Sequence, residues 1–392
     1  MARGGQRSRD LNVPQTAVSA TTEIAERVRE RFAMRRPVRI ASAGTWLRAG
    51  APVSASDTLS IAEDRGIVEY VAGDLTMTVR AGTTLREIAD ATRAQHQFLT
   101  LDPWGGDDGS IGATVATATA GPRAAAFGLP RDAVLGMEFV SGTGSVIRAG
   151  GRVVKNVAGF DLARLLTGSR GTLGVITEMT LRLRALPEQQ ATLAIAIDDD
   201  AKSLADVMRR LRALPFTPIA AQLLDGPLAR TIGFGDTSIL LAQLGGNART
   251  VAAQREMISR VGRSGDVVSD DAWRLLRECD RPSGASWRWS ALPSAFGDTW
   301  ARATRVARRL DAIVHGDPWR GVVRIVVPAG ARVSDAARAI SEFDGPAVLE
   351  LLPGGAWPST RGADDRLAAM SRELRARFDP AGILNPGILG SA

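Results

Sequence analysis

Cysteine, histidine, lysine and tyrosine are nearly absent from this chain of 392 residues, which has one cysteine, two histidines and one tyrosine. The lone Cys279 excludes a disulfide within the chain and any iron–sulfur cluster held by its own thiolates. No apolar run approaches the roughly 18 to 20 residues of a membrane span, and the arginine-rich stretch Met1 to Asp10 lacks the apolar core that follows in a signal peptide. A cytoplasmic protein is expected. Basic runs interleaved with aromatics are also missing: the net charge of +7 and pI near 10.7 arise from arginines spread among 42 acidic residues. That pattern argues against nucleic acid and for an anionic cofactor, an acidic substrate or an acidic partner. With 45% apolar residues the chain can form two or three domains with real cores.

The two lysines, Lys155 and Lys202, stand out among 49 basic residues. Lys202 reads as a helix surface. Lys155 lies near Gly150, Gly151 and Gly159, where small residues let a ligand approach the backbone, and a compact ammonium there is not interchangeable with a planar guanidinium. Its segment, Lys155-Asn156-Val157-Ala158-Gly159-Phe160-Asp161-Leu162, is followed closely by Gly171-Thr172-Leu173-Gly174-Val175-Ile176, a glycine-punctuated lead into a strand. A third stretch, Asp102-Pro103-Trp104-Gly105-Gly106-Asp107-Asp108-Gly109-Ser110-Ile111-Gly112-Ala113-Thr114, feeds a loop into the N-terminus of a small-residue helix, where unpaired amides and the helix dipole favour an anion. Ala41-Ser42-Ala43-Gly44-Thr45-Trp46 is a further small-residue turn. A dinucleotide needs both backbone amides for its diphosphate and close apolar walls for its rings, and these segments supply both. The G-x-G-x-x-G fingerprint of a nicotinamide dehydrogenase is absent.

Helix-like spacing over residues 16 to 32 ends at Pro37. Short strands follow at 38–40, 58–61, 67–71 and 75–80. Thr84 with Glu87 three residues on opens a helix to about Gln95. Small residues suggest a helix over 110–119, and a hairpin forms around Gly142-Thr143-Gly144. Beyond Pro187 strands and helices alternate: strands at 192–197, 220–224, 238–244, 322–327 and 347–352, helices at 200–214, 248–261, 294–310 and 334–343. This order predicts a ferredoxin-like layer. The expected class is α+β, with a first domain over 1–188, a cap over 189–355 and a segment over 356–392 that returns to the first domain through Asn385-Pro386-Gly387.

The segments at Ile111-Gly112-Ala113, Gly121-Pro122-Arg123, Lys155 to Leu162 and Asn385-Pro386-Gly387 resemble the FAD-binding oxidoreductases of the vanillyl-alcohol oxidase and p-cresol methylhydroxylase superfamily, and among them the FAD-binding subunits of glycolate oxidases. The resemblance spans about Arg39 to Pro187 and the C-terminal tail. It implies a two-part FAD-binding domain of the p-cresol methylhydroxylase type with a ferredoxin-like cap, and FAD held by Ser42, Ala43, Gly44, Thr45, Trp46, Pro103, Ser110, Ile111, Gly112, Ala113, Thr114, Ala116, Thr117, Gly121, Gly171, Gly174, Val175, Ile176 and Asn385. No histidine occurs in 41–46, where some members bond one to the flavin, so noncovalent FAD is expected. Ala113 and Phe160 replace a usual glycine and tyrosine.

Oxidising a 2-hydroxy acid needs a base for the hydroxyl proton and a cation for the carboxylate. His96 reads as structural; His315, in Val314-His315-Gly316-Asp317-Pro318-Trp319, is similar to the His-x-Gly-Asp-Gly-Asn motif of the catalytic paralogue but departs from it at Pro318 and Trp319. His315, Arg123 and Lys155 are the candidates for catalysis and anion contact. Neither a metal cluster nor a nucleophilic triad assembles from the remaining residues. The expectation is an FAD subunit with an incomplete substrate site of its own, working beside a catalytic FAD-binding paralogue and an iron–sulfur subunit on a small 2-hydroxy acid. Trp287, Trp289 and Trp300 read as cap core or a partner surface. A stand-alone oxidoreductase and a scaffold that has lost FAD are the other readings. Gly112→Asp is expected to place a carboxylate against the diphosphate and yield colourless protein; a fully yellow mutant would show the phosphate loop to lie elsewhere.

Overall fold

The computed structural model describes residues 20–151, 161–198, 200–263, 265–279, 283–329, 338, 347–351 and 365–390. Near the start, the helix Ala20–Ala33 buries Ile24, Ala25 and Val28. Strands β1 (Val38–Ala41) and β2 (Asp57–Ser60) pair in parallel. A six-stranded sheet follows, built from β3 (Ile67–Val71), β4 (Thr76–Arg80), β5 (Gln97–Leu99), β6 (Val134–Val140), β7 (Val146–Gly150) and β8 (Val175–Ala185), in the order β3-β4-β8-β6-β7 with β5 on the end of β8. Strict alternation organises β8: Met179, Leu181 and Leu183 are buried in the core of this half with Phe139, Val79 and Ile88. The expected threonine cap is present. Thr84 accepts from Glu87 N (3.1 Å) and Glu87 accepts from Thr84 N (2.8 Å), opening the helix Leu85–Arg93.

The second half is one eight-stranded antiparallel sheet of β9 (Gln189–Ala196), β10 (Ala220–Leu224), β11 (Ile239–Gly246), β12 (Gly265–Val268), β13 (Ser283–Ser290), β14 (Ile313–Asp317), β15 (Val322–Pro328) and β16 (Ala347–Leu351), in the order β12-β9-β11-β10-β14-β15-β13-β16. Strands β9 to β12, with the helices Ala201–Arg212 and Ala248–Ser259, form a βαββαβ unit of ferredoxin-like order. Strands β13 to β16 repeat that order around the helix Phe296–Leu310. The cap is thus two ferredoxin-like units joined where β10 pairs with β14. The expected helix over 334–343 lies outside the described residues apart from Arg338, which is helical.

Sequence reasoning missed β12 and β13. In β13 single polar residues stand between apolar neighbours, which breaks the look of a buried strand without breaking its period of two. In β13, Trp287 and Trp289 enter the cap core with Phe296 and Trp300. That resolves the tryptophan group as core, and it places Arg288 on the opposite face.

Three contacts join the halves and the tail. Trp104, in the glycine-rich loop, is buried among Leu224, Leu228, Ile239 and Trp273. Arg277 bonds both Asp107 oxygens (2.6 and 3.1 Å), and its carbonyl accepts from Gly105 N (2.7 Å). The tail, after the helix Asp365–Phe378, runs beside β1: Val38 N donates to Ile383 O and Asn385 N to Val38 O.

Candidate active site

A cleft runs along the β1 end of the first half, between the turn after β1, the helix Ile111–Thr117, the residues leading into β8 and the tail. Ser42, Gly44 and Trp46 line it from the turn; Gly112, Ala113, Ala116 and Thr117 from the helix; Gly171, Gly174 and Ile176 from the β8 lead; and Asn385 from the tail. Of the other expected cofactor residues, Ala43 and Thr45 sit on the same turn without lining the cleft. Ser110 and Thr114 are buried in the helix, Ile111 and Val175 lie in the core, and Pro103 is buried in the loop. Gly121 lines a second, inner cavity.

At the helix N-terminus, where the sequence suggested a phosphate cradle, the first amides are engaged within the protein. Ile111 N donates to Thr83 O, Gly112 N to Ala81 O, Ala113 N to Ser110 Oγ and Thr114 N to Ser110 O, so each of these amides already has a partner. In the preceding loop two carbonyls are engaged: Asp107 O and Gly109 O accept from Arg86 N and Leu85 N at the start of another helix. Gly112 is required for packing, since a Cβ there would sit 2.7 Å from Ala81 O. Gly112→Asp therefore displaces the helix whatever it does to a phosphate. By contrast, the amides of residues 42 to 46 donate to nothing among the described residues, and Ser42 Oγ is buried without a hydrogen-bond partner. Gly44 takes a positive φ of 86° at the bend of this turn. Consecutive free amides with a hydroxyl form an anion-binding concavity, and Ile40, Ile61 and Ile176 provide apolar walls beside it.

Asn385 lines this cleft and also holds its walls together. Its Oδ1 accepts from Ile40 N (2.8 Å) and its Nδ2 donates to Arg170 O (2.7 Å), which ties the tail to β1 and to the β8 lead.

The inner cavity, of about 370 Å³, shares Trp46, Ala49, Thr117 and Arg170 with the cleft and is roofed by the eight-stranded sheet. Its roof is a row across the register: His315 of β14 faces Arg324 of β15, which faces Arg288 of β13. The alternation that sends Val314, Val323, Ile325, Trp287 and Trp289 into the cap core turns these three toward the cavity. Arg324 is 1% exposed; it pairs with Glu350, donates to Ser286 Oγ (3.4 Å), and lies 5.3 Å from the Trp104 ring and 6.0 Å from that of Trp46. Burial raises the Glu350 carboxyl, but Arg324 and Arg288 outweigh that and hold it below the usual range.

His315 is fully buried, its ring 4.3 Å from that of Trp104 at a 45° tilt, and bonded through Nδ1 to Gln222 (2.9 Å). Burial, then the nearby Arg324 charge, push its pKa well below the ordinary histidine value, so the imidazole is neutral. Its Nε2 has no hydrogen-bond partner. Two residues on, Asp317 accepts from Trp319 N and Arg320 N through Oδ1 and leaves Oδ2 unpaired, and burial lifts its carboxyl to about 6. The Arg320 guanidinium lines the cavity and makes no ion pair or hydrogen bond among the described residues. No group of three or more metal-capable side chains occurs among the described residues.

The other catalytic candidates do not join His315. Arg123 lies against Phe98 (5.3 Å) in a separate cavity of about 540 Å³, its amide bonded to the Asp102 carboxylate. Lys155, with residues 152–160, falls outside the described residues. His96 is exposed and lines neither cavity. Arg288, Arg320, Arg324, Gln222 and Glu350 were not anticipated. Their one signal is a polar residue alone in an apolar strand, as in Trp287-Arg288-Trp289 and Val323-Arg324-Ile325.

A family model described as an FAD binding domain matches residues 16–150. The chain is 30% identical over 379 residues to glycolate oxidase subunit GlcE of Escherichia coli (strain K12), a match covering 93% of this chain and 95% of that one. It belongs to the family of FAD-binding glycolate oxidase subunits. It is also 32% identical over 211 residues to glycolate oxidase subunit GlcD of Bacillus subtilis (strain 168), covering 52% of this chain and 45% of that one. To D-2-hydroxyglutarate dehydrogenase of Xanthomonas citri pv. viticola it is 28% identical, covering 89% of this chain and 83% of that one. Among solved structures, alkyldihydroxyacetonephosphate synthase shares the fold with a TM-score of 0.66 at 15% identity, covering 93% of this chain and 75% of that one. FAD is the cofactor of this family, and the unpaired amides and hydroxyl of the 42–46 turn fit a diphosphate. Ser42→Ala is expected to weaken FAD binding roughly tenfold, the worth of one hydrogen bond to a charged group at about 1.5 kcal/mol. Titration of apoprotein by flavin fluorescence measures it; an unchanged affinity would remove the hydroxyl from the site.

Proposed function

We propose that this chain is the FAD-binding subunit of a glycolate oxidase-type complex, oxidising a 2-hydroxy acid such as glycolate, to glyoxylate, and passing the electrons to a partner. The observation that carries this reading is the junction of a dinucleotide cleft with an arginine-rich inner cavity that holds a neutral, buried histidine. The turn at 42–46 would hold the diphosphate, and Ile40, Ala116 and Ile176 would wall the rings. No histidine, cysteine or tyrosine lines the cleft, which supports noncovalent binding. Bound FAD would supply the acceptor for the C2 hydrogen and its electron pair. The chain supplies the rest. Arg320 receives the substrate carboxylate, because it alone of Arg288, Arg320 and Arg324 has no carboxylate bound to its guanidinium. His315 Nε2 takes the hydroxyl proton as C2 becomes a carbonyl carbon. Trp46 and Trp104 narrow the cavity and exclude water.

In the same reading, residues 1–188 bind FAD, 189–355 cap it and 356–392 return to it, and the complex works in the cytoplasm. No helix among the described residues is long and apolar enough to cross a membrane. One cysteine cannot hold a cluster, so a catalytic FAD-binding paralogue and an iron–sulfur subunit are the proposed electron route. A stand-alone oxidoreductase is the second reading, favoured by the presence of base and cation within one chain. The purified chain alone bleaching its flavin on addition of glycolate or D-lactate would favour it over the subunit reading.

In the native complex, His315→Asn is expected to lower kcat by roughly 10² to 10⁴ while FAD content stays at the wild-type level. Arg320→Ala is expected to raise KM by about ten- to a hundredfold, the range of a lost charge-assisted hydrogen bond. Steady-state kinetics with flavin quantitation decide both; full activity in either variant would place the chemistry elsewhere.

A further inference from the structure

We propose that Gln222 is a positioning residue that fixes the tautomer of His315, keeping the proton on Nδ1 and leaving Nε2 bare toward the cavity. Gln222 lies on β10, is 3% exposed, and meets His315 where β10 and β14 join the two ferredoxin-like units. One orientation of its amide satisfies every neighbour: Oε1 accepts from His315 Nδ1 (2.9 Å) and Gly316 N (3.2 Å), while Nε2 donates to Ala221 O (2.9 Å). The reverse orientation sets carbonyl against carbonyl at Ala221 and N–H against N–H at Gly316. The Ala221 carbonyl and the Gly316 amide are backbone groups and cannot exchange roles, so they dictate how Gln222 faces the imidazole. A neutral imidazole has one N–H, and that proton is drawn to Nδ1. The remaining Nε2 lone pair is buried, unpartnered and on a residue that lines the cavity. A buried acceptor left without a donor costs stability, and a substrate hydroxyl is a donor of the right kind.

The charged groups around His315 come from four strands and one turn. Arg324 faces it from β15, Arg288 and Glu350 lie farther along the same row, and Asp317 and Arg320 lie on its own strand and the turn beyond. None is within hydrogen-bond reach of Nε2. The tautomer is therefore set from behind, by the amide.

This inference rests on the proposed function only in taking Nε2 as the atom offered to substrate; the tautomer itself can be read without turnover. The chain has two histidines, and His96 is exposed, so ¹⁵N-histidine labelling of the full chain with FAD bound gives His315 and an internal reference. The expected spectrum has His315 protonated at Nδ1 and unprotonated at Nε2 across neutral pH. Gln222→Leu should release the proton to Nε2 or to a mixture and lower kcat about tenfold with KM unmoved. Gln222→Glu, which keeps an acceptor toward Nδ1 at the same length, should restore the Nδ1–H signal. A wild-type His315 carrying its proton on Nε2 overturns the proposal, as does an unchanged tautomer in folded, flavin-bearing Gln222→Leu. Full turnover in His315→Asn would instead overturn the base reading and leave the tautomer result standing.

Discussion

Arg324 is the constraint on which the rest of this structure depends. A guanidinium at 1% exposure in the middle of an apolar strand is tolerable only if its charge is paired and its donors used. Glu350 and Ser286 meet that demand from within the cap, and Trp46 and Trp104 cover it from the other half of the chain. The two halves are thereby held in the arrangement that makes the inner cavity. Burial first, and this charge second, lower the His315 pKa, so the residue that joins the halves also bears on the state of the candidate base.

Glycine has two separate uses here. At Gly44 it permits a left-handed bend beside consecutive amides left unpaired, a feature that suits binding. At Gly112 and Gly174 its role is contact with protein: a Cβ would meet Ala81 O in the first case and the Phe139 ring in the second. A glycine-rich sequence therefore marks the neighbourhood of the cofactor without saying which glycines face it. The same distinction applies to Asn385, whose polar atoms are consumed in joining the tail to the walls of the cleft.

The neutral histidine and the free arginine divide the chemistry by electrostatics. His315 cannot compete with arginine for a carboxylate while uncharged, and Arg320 cannot accept a proton. In the proposed reaction, their placement on β14 and on the turn beyond it would give a 2-hydroxy acid one partner for each functional group. Both sit on the roof, opposite the cleft, so a substrate would lie between cap and cofactor.

Period and composition in the sequence determined much of the scaffold: the β8 alternation, the Thr84–Glu87 box, the alternating strands and helices after Pro187 and the small-residue turn at 42–46 were all legible, because each is a local pattern with a local physical cause. Its glycine-punctuated segments also pointed to an FAD-binding fold. Only the tertiary structure decided which of these segments keep free amides, since that depends on whether Thr83 and Ala81, distant in sequence, already accept them. It alone separated Arg123 from His315, and it alone assembled Gln222, Arg288, Arg320 and Arg324 around one cavity. Gln222, Arg288 and Arg324 come from different strands of one sheet and Arg320 from the turn after β14, and a lone charge in an apolar strand does not reveal its neighbour until the register is fixed.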